Sequence, residues 1–259
     1  MHNLFDVSGK VALVAGGSRG ISLMRARGVV SNGVKVYTSS RSPEACAEAA
    51  EELSAIEGAG SCIALPADLS TVEGCSALAE QLAGLESQLD ILVNNAGATW
   101  GASLEEFPEK GWDKVMDINL KGPFFLTQKL LPLLRASASY DAPARVINIA
   151  SIDGYKNNPI ETYSYAASKA GMVHLTRHMA RNLVRENILV NAIAPGPFES
   201  KMMAHTLETR GDEIRNANPR RRIGRDEDMA ATAIFLASPA SDYIVGETIK
   251  VDGGIVNCS

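Results

Sequence analysis

The stretch Lys10-Val11-Ala12-Leu13-Val14-Ala15 is apolar almost throughout and lies between Gly9 and the pair Gly16-Gly17. Its apolar residues do not alternate with polar ones, so it predicts a strand buried on both faces, as in a parallel sheet. Gly16-Gly17-Ser18-Arg19-Gly20-Ile21-Ser22 follows, and then a helical stretch to about Asn32, ended by Gly33. Strand, glycine turn and helix, in that order, are the setting that a dinucleotide fingerprint requires. Glycines let the backbone approach a pyrophosphate, and the helix N-terminus offers N–H donors and a favourable dipole. A plain strand-to-helix turn is the alternative reading of the same residues.

The rest of the chain repeats the alternation. Further strands are expected at 34–39, 61–65, 90–93, 146–150, 188–194 and 248–251. Helices are expected at 43–57, 71–87, 104–136 with an interruption near Lys121-Gly122-Pro123, from Tyr165 to about 186, and 226–237. This pattern implies an α/β fold: a doubly wound, Rossmann-type parallel sheet of about seven strands flanked by helices. No internal repeat or linker divides the chain, so residues 1–259 read as one domain. The segment 197–225 is the least regular and is a candidate substrate lid.

With 259 residues the chain can bury a large core, and its hydrophobic content of 46% fits a globular protein. The formal net charge of -5 argues against a nucleic-acid-binding surface over the whole molecule. Cys46, Cys62, Cys75 and Cys258 form no Cys-x-x-Cys pair and read as free thiols of a reducing compartment. No signal-peptide pattern and no apolar run of membrane-spanning length is present, so a cytoplasmic protein without membrane partners is expected. His2, His174, His178 and His205 lack metal-ligand spacing, and no metal is expected.

The chemistry is concentrated around Tyr165 and Lys169, which four-residue spacing places on one helix face. An ammonium beside a phenol stabilises the phenolate, lowers the phenol's pKa and makes it a usable acid or base. Ser151, at the end of the fifth strand, could converge with them at the carboxyl edge of the sheet. An ordinary solvated Tyr-x-x-x-Lys face is the bland reading. Asn119 falls mid-helix, where an asparagine is unfavourable without a task, such as bending the helix through a bound water. Asn94-Asn95-Ala96-Gly97 would let a flat ring approach closely. Asp68 either meets an adenine amino group or caps the next helix.

At the end of the second strand no Asp or Glu stands ready for ribose hydroxyls. Arg41, with Arg19, could hold a 2′-phosphate, which favours NADP over NAD. A solvated arginine opening the next helix is the alternative. Arg220, Arg221, Arg222 and Arg225 read as solvated surface or as an attraction for an acidic carrier. Ala166, Ala167, Ala170 and Gly171 form a small-residue face suited to internal packing or to a subunit interface. Asp153, close to Ser151, could line the pocket, although a loop carboxylate facing water is the plainer reading. Tyr155 and Tyr163 have no lysine four residues on and are not assigned as the acid.

Taken together, Gly16-Gly17-Ser18-Arg19-Gly20-Ile21, Asn94-Asn95-Ala96-Gly97, Asn119, Ser151, Tyr165 with Lys169, and Pro195-Gly196 resemble the short-chain dehydrogenase/reductase family over essentially the whole chain. Within it the chain looks most like NADPH-dependent 3-oxoacyl reductases, in particular the β-ketoacyl reductases of rhamnolipid pathways. The residues at 94–101 and 143–149 bear that closer likeness.

The resemblance implies a reductase that moves hydride from NADPH to a ketone or acyl thioester. Tyr165 would donate the proton, Ser151 hold the carbonyl oxygen, Lys169 bind the nicotinamide ribose and lower the Tyr165 pKa, and Asn119 hold a relay water. Gly16, Ser18, Arg19, Gly20, Ile21, Arg41, Asp68, Leu69, Asn95, Ala96, Gly97, Pro195, Gly196 and Ser200 would line the cofactor, with Ile193 beside the nicotinamide. A homotetramer or dimer through the helices containing Gly122 and Tyr165 is also implied. Ala15, Ser22 and Arg25 depart from the family pattern, which keeps open a non-redox cyclase or isomerase of the same fold, or a non-catalytic binding protein.

Overall fold

The computed structural model describes residues 3–16, 21–56, 60–199 and 203–258. Its strands are β1 Val11–Ala15, β2 Lys35–Ser39, β3 Ser61–Ala64, β4 Ile91–Asn94, β5 Ala144–Ile149, β6 Ile188–Pro195 and β7 Thr248–Val251. Its helices are α1 Ile21–Ser31, α2 Pro43–Ser54, α3 Val72–Ala83, α4 Glu109–Met116, α5 Gly122–Ser137, α6 Tyr163–Leu183, α7 Ala204–Ala217 and α8 Asp226–Ala237. The strands pair in parallel in the order β3-β2-β1-β4-β5-β6-β7. The chain starts mid-sheet, winds out to β3, returns to β4 and continues to β7. Connections from β1 and β4 therefore leave the sheet on opposite sides, and a crevice opens between their carboxyl ends.

The missing alternation of β1 has a direct cause. Ala12 and Val14 pack into one core with Val29, Met229 and Ala233 from α1 and α8. Leu13 and Ala15 face a second core with Leu78, Leu126 and Leu130 from α3 and α5. Both sheet faces are thus covered, and polar residues would be buried at every position. On the first face α1 and α8 cross closely, since a Cβ at Gly28 would lie 2.6 Å from the Ala230 methyl. The side-chain amide nitrogens of two asparagines buried in the strands are paired, whereas the hydroxyls of Thr38, Ser39 and Thr248 find no hydrogen-bond partner among the described residues. Asn94 Nδ2 donates to Thr127 Oγ1 and to Asn148 Oδ1, each at 2.9 Å, and Asn148 Nδ2 donates to Thr176 Oγ1 at 3.0 Å. This chain of amides and hydroxyls pins α5, β4, β5 and α6 in register, because an unpaired amide at this depth is costly.

Two expectations change. The helix expected from 104 begins at Glu109, behind an extended Pro108 (φ -80°, ψ 140°), and is interrupted by a π-helical turn, Asp117–Lys121. The segment 197–225 is more regular than its composition suggests, because it contains α7, kinked at Arg210. Phe198 and Gly224 bridge the two ends of that segment. The Phe198 ring lies so close that a Cβ on Gly224 would come within 2.2 Å of it.

Candidate active site

A cavity of about 1050 Å³ occupies the crevice at the carboxyl ends of the strands. Gly16 just beyond β1, Arg41 beyond β2, Leu69 beyond β3, Asn95 to Gly97 beyond β4, Ser151 beyond β5, and Pro195 with Gly196 all line it. Tyr165 and Lys169 close it from α6. The fold therefore brings together residues that lie far apart in sequence. Ser18, Arg19, Gly20 and Ser200 lie outside the described residues, as does His2, and so do the side chains of Ile21, Ser22, Arg25 and His205.

Gly16 shows why the turn after β1 needs a glycine. Its φ is +81°, and a Cβ would stand 2.5 Å from Ala96 Cα. Ala15 offers the turn no side-chain hydrogen bond, so the backbone holds it. Gly16 N–H donates to Ser39 O at 2.7 Å, Asn95 N–H to Ala15 O at 3.0 Å, and Asn95 Nδ2 to Gly16 O at 3.1 Å. The bare glycine surface and the close approach of Gly16 to Ala96 fit the pyrophosphate half of a dinucleotide.

Tyr165 is half-buried, and its phenol shares a hydrogen bond with the Ser151 hydroxyl. Lost hydration pushes the phenol up to about 12; Ser151 pulls it down and the Asp153 carboxylate pushes it up further. The expected lowering by Lys169 is therefore not what the site shows. The ammonium sits over the face of the Tyr165 ring, 5.6 Å from its centroid, and donates to Ile149 O at 2.7 Å. Lys169 is itself 4% exposed. The ammonium therefore sits at the cavity wall, where sugar hydroxyls are suited to accept from it.

Asn119 lies in the π turn and is 1% exposed. Its Oδ1 accepts from Ala98 N–H at 2.8 Å, and its Nδ2 donates to Ala98 O at 3.0 Å and to Ser168 Oγ at 2.9 Å. The π turn interrupts the helix, and Asn119 acts as a brace between the β4 loop and α6. Asp68 is not among the residues lining the cavity. Its Oδ1 accepts from Ser70 N–H at 3.0 Å and Ser70 Oγ at 2.7 Å, so it orders the turn before α3. Burial raises its carboxyl, but the Ser70 bonds and the charge of Arg41 outweigh that and leave it below the usual range.

Of the two readings open for Asp153, the structure favours the pocket: the residue lines the cavity. The reason lies in packing that spacing does not reveal: Gly154 presses its turn against Lys169 on α6. Of the arginine cluster, Arg222 is held by Asp228 through bonds of 2.6 and 2.9 Å. Ala167 and Ala170 are exposed on α6, so the small-residue face is only partly used for internal packing.

A family model described as enoyl-(acyl carrier protein) reductase matches residues 15–256. The chain is 48% identical to the rhamnolipids biosynthesis 3-oxoacyl-[acyl-carrier-protein] reductase of Pseudomonas aeruginosa, over 98% of this chain and 99% of that one. The chain belongs to the short-chain dehydrogenase/reductase family. A second short-chain dehydrogenase/reductase relative is 2-dehydro-3-deoxy-D-gluconate 5-dehydrogenase of Dickeya dadantii, at 36% identity over 97% of each chain. Among solved structures of the family, the Pseudomonas aeruginosa RhlG/NADP active-site complex superposes with a TM-score of 0.94 at 47% identity, covering 98% of this chain and 99% of that one.

Proposed function

We propose that this protein is an NADP-dependent carbonyl reductase that reduces a ketone, of the 3-oxoacyl thioester kind, to an alcohol and can run in reverse. The observation that supports it is the convergence of Ser151, Tyr165 and Lys169 on one cavity that also meets the Gly16 turn. When bound, NADPH supplies the hydride. The chain's own residues do the rest. Ser151 holds the carbonyl oxygen and, with Tyr165, fixes its place. Tyr165, a phenol and so protonated at neutral pH, delivers the proton to that oxygen. Lys169 holds the ribose hydroxyls, and Arg41 meets the 2′-phosphate. The backbone at Gly16 and the loop 95–97 shape the cofactor channel.

The whole chain acts as one catalytic domain, with 197–225 covering the substrate; Pro197, Phe198 and Met203 from that segment line the cavity. Exposed Phe124 on α5 and exposed Tyr163, Ala167 and Ala170 on α6 favour a homo-oligomer through these two helices. The free thiols Cys46, Cys62, Cys75 and Cys258 suit a cytoplasmic enzyme.

Titration of the purified protein with NADPH and separately with NADH, followed by NADPH oxidation with ethyl 3-oxobutanoate, tests the reading. Tight binding selective for NADPH with ketone-dependent oxidation is expected. Absence of binding to either nucleotide overturns it.

A further inference from the structure

The cavity wall holds a carboxylate for which the proton and hydride chemistry has no use. Asp153 stands two residues beyond Ser151, in the 3-10 turn Ile152–Gly154, and lines the same cavity as Ser151 and Tyr165. Three contacts fix its position. Its N–H donates to Ser151 Oγ at 3.2 Å. A Cβ on Gly154 would lie 2.9 Å from the Lys169 carbonyl, so the turn is seated on α6. The Asn158 side chain hydrogen-bonds the carboxylate. Because Asn158 Oδ1 already accepts from Ile160 N–H at 3.0 Å, its amide N–H is the group that meets Asp153.

The setting is unfavourable for the carboxylate on its own. Burial raises the Asp153 carboxyl, although Asn158 and the charge of Lys169 draw it back. A carboxylate can accept about four hydrogen bonds, and Asn158 supplies one of them. A substrate that brings a donor to this wall returns hydrogen bonding that burial removed. A substrate that brings an anion meets like charge at a half-buried wall. The Ser151 hydroxyl, which takes the carbonyl oxygen, is in the same turn, so the group that Asp153 meets is close to the reacting carbon.

We propose that Asp153 determines substrate choice, accepting a hydrogen bond from a hydroxyl or ammonium group within two bonds of the ketone carbon and disfavouring ketones with a carboxylate there. This deepens the reductase reading and rests on it: the substrate class is a hydroxylated or amino-substituted ketone or 3-oxoacyl compound. Discrimination of this kind arises when a buried polar group is left unpaired by the wrong substrate.

The test compares kcat/KM for ethyl 4-hydroxy-3-oxobutanoate, ethyl 3-oxobutanoate and the free 3-oxobutanoate anion in the wild type, Asp153→Ala and Asp153→Asn. Only ratios between substrates are read, so the greater intrinsic reactivity of the hydroxyketone and any general effect on Tyr165 cancel. The ratio of hydroxy ester to parent ester should fall about tenfold in Asp153→Ala, the scale of one charged hydrogen bond. The ratio of free anion to parent ester should rise about tenfold in Asp153→Asn, which keeps the shape and loses the charge. Ratios within twofold of wild type in both variants overturn the role of Asp153 and leave the reductase reading intact, provided the wild type reduces the parent ester. A wild type that binds NADPH and reduces none of the three overturns both.

Discussion

The side-chain amide of Asn119 and the hydroxyl of Ser168 meet at 2.9 Å, joining the π turn to the helix that presents Tyr165 and Lys169. Ser168 Oγ also donates to Tyr165 O at 2.8 Å, so the brace reaches the backbone of the proton donor itself. Asn119→Ala would leave the N–H and C=O of Ala98 and the Ser168 hydroxyl without this partner. An orphaned buried polar group costs about 1–3 kcal/mol, and partial rehydration of the loop recovers some of the total. A loss of about 2–4 kcal/mol is expected, read as a Tm lower by roughly 5–15 °C. Turnover should fall as well, because Tyr165 and Lys169 lose a fixed mount. A Tm within a degree or two of wild type would show that Asn119 is not a brace.

The proton on Tyr165 makes stability depend on alkali. Its pKa is pushed up to about 12 in the folded chain, mainly by burial. An unfolded tyrosine titrates near 10. Below that pH both states are protonated and this contribution is fully present. As pH rises from 10 towards 12 the unfolded state loses its proton first, so stability falls through that window. The effect is on the order of 1–3 kcal/mol, discounted for the part of the ring that water reaches. Tyr165→Phe should remove it: urea midpoints of wild type and variant, followed from pH 9 to pH 12, should converge with alkali. The same variant should lose about 10²–10⁴-fold in kcat/KM for ketone reduction, the usual contribution of a general acid. Parallel midpoints, or reductase activity near that of wild type, would rule out the assigned role.

Gly16→Ala probes the cofactor channel through the backbone. The residue sits at φ +81°, which costs a side-chain-bearing residue about 1–3 kcal/mol. The new methyl would also press on Ala96, whose Cα would be 2.5 Å away. Relief requires the β1 turn and the β4 loop to separate, and that loop also forms the wall at Gly97. A lower Tm together with NADPH affinity reduced about tenfold or more is expected from calorimetry. Unchanged affinity would place the pyrophosphate elsewhere.

Strands were legible because burial on both sheet faces leaves one signature, an apolar run without alternation. Tyr165, Lys169 and Ser151 were legible as a set because helical spacing and a strand end determine where they go. Other features depend on contacts between distant residues. The π turn at Asp117–Lys121 preserves an apolar periodicity much like that of a continuous helix, so only an interruption near Gly122 could be read. Asp153 is turned into the cavity by Gly154 packing on Lys169, fifteen positions along the chain. The proton affinity of Tyr165 is the sum of burial, Ser151 and Asp153, and spacing to Lys169 alone gives it the wrong sign. The helix α7 is poor in apolar residues, with Leu207 and Ile214 its only large ones, which hid it inside a segment read as irregular.

Arg41 tests cofactor choice. It stands two residues beyond β2, is exposed, and lines the cavity between Ser40 and Ser42. Ser42 caps α2, with its Oγ accepting from Ala45 N–H at 3.2 Å, and Ser40 Oγ donates to Ser42 O at 3.0 Å, so the turn that presents Arg41 is ordered. A guanidinium can bind a phosphate through two parallel hydrogen bonds, each charge-assisted. The ribose hydroxyl of NADH offers it neither charge nor a second oxygen. Arg41→Ala should therefore weaken NADPH about 10–100-fold, the scale of one or two charged hydrogen bonds, and change NADH by no more than about threefold. Arg41→Lys should recover only part of the loss, since a lysine is a point charge without the planar fork. Fluorescence titration of both nucleotides at two salt concentrations separates a specific phosphate contact from general attraction, because screening weakens the latter more. Equal weakening of NADPH and NADH would assign Arg41 to the architecture of the turn, and the preference for the 2′-phosphate would then have to come from another cation.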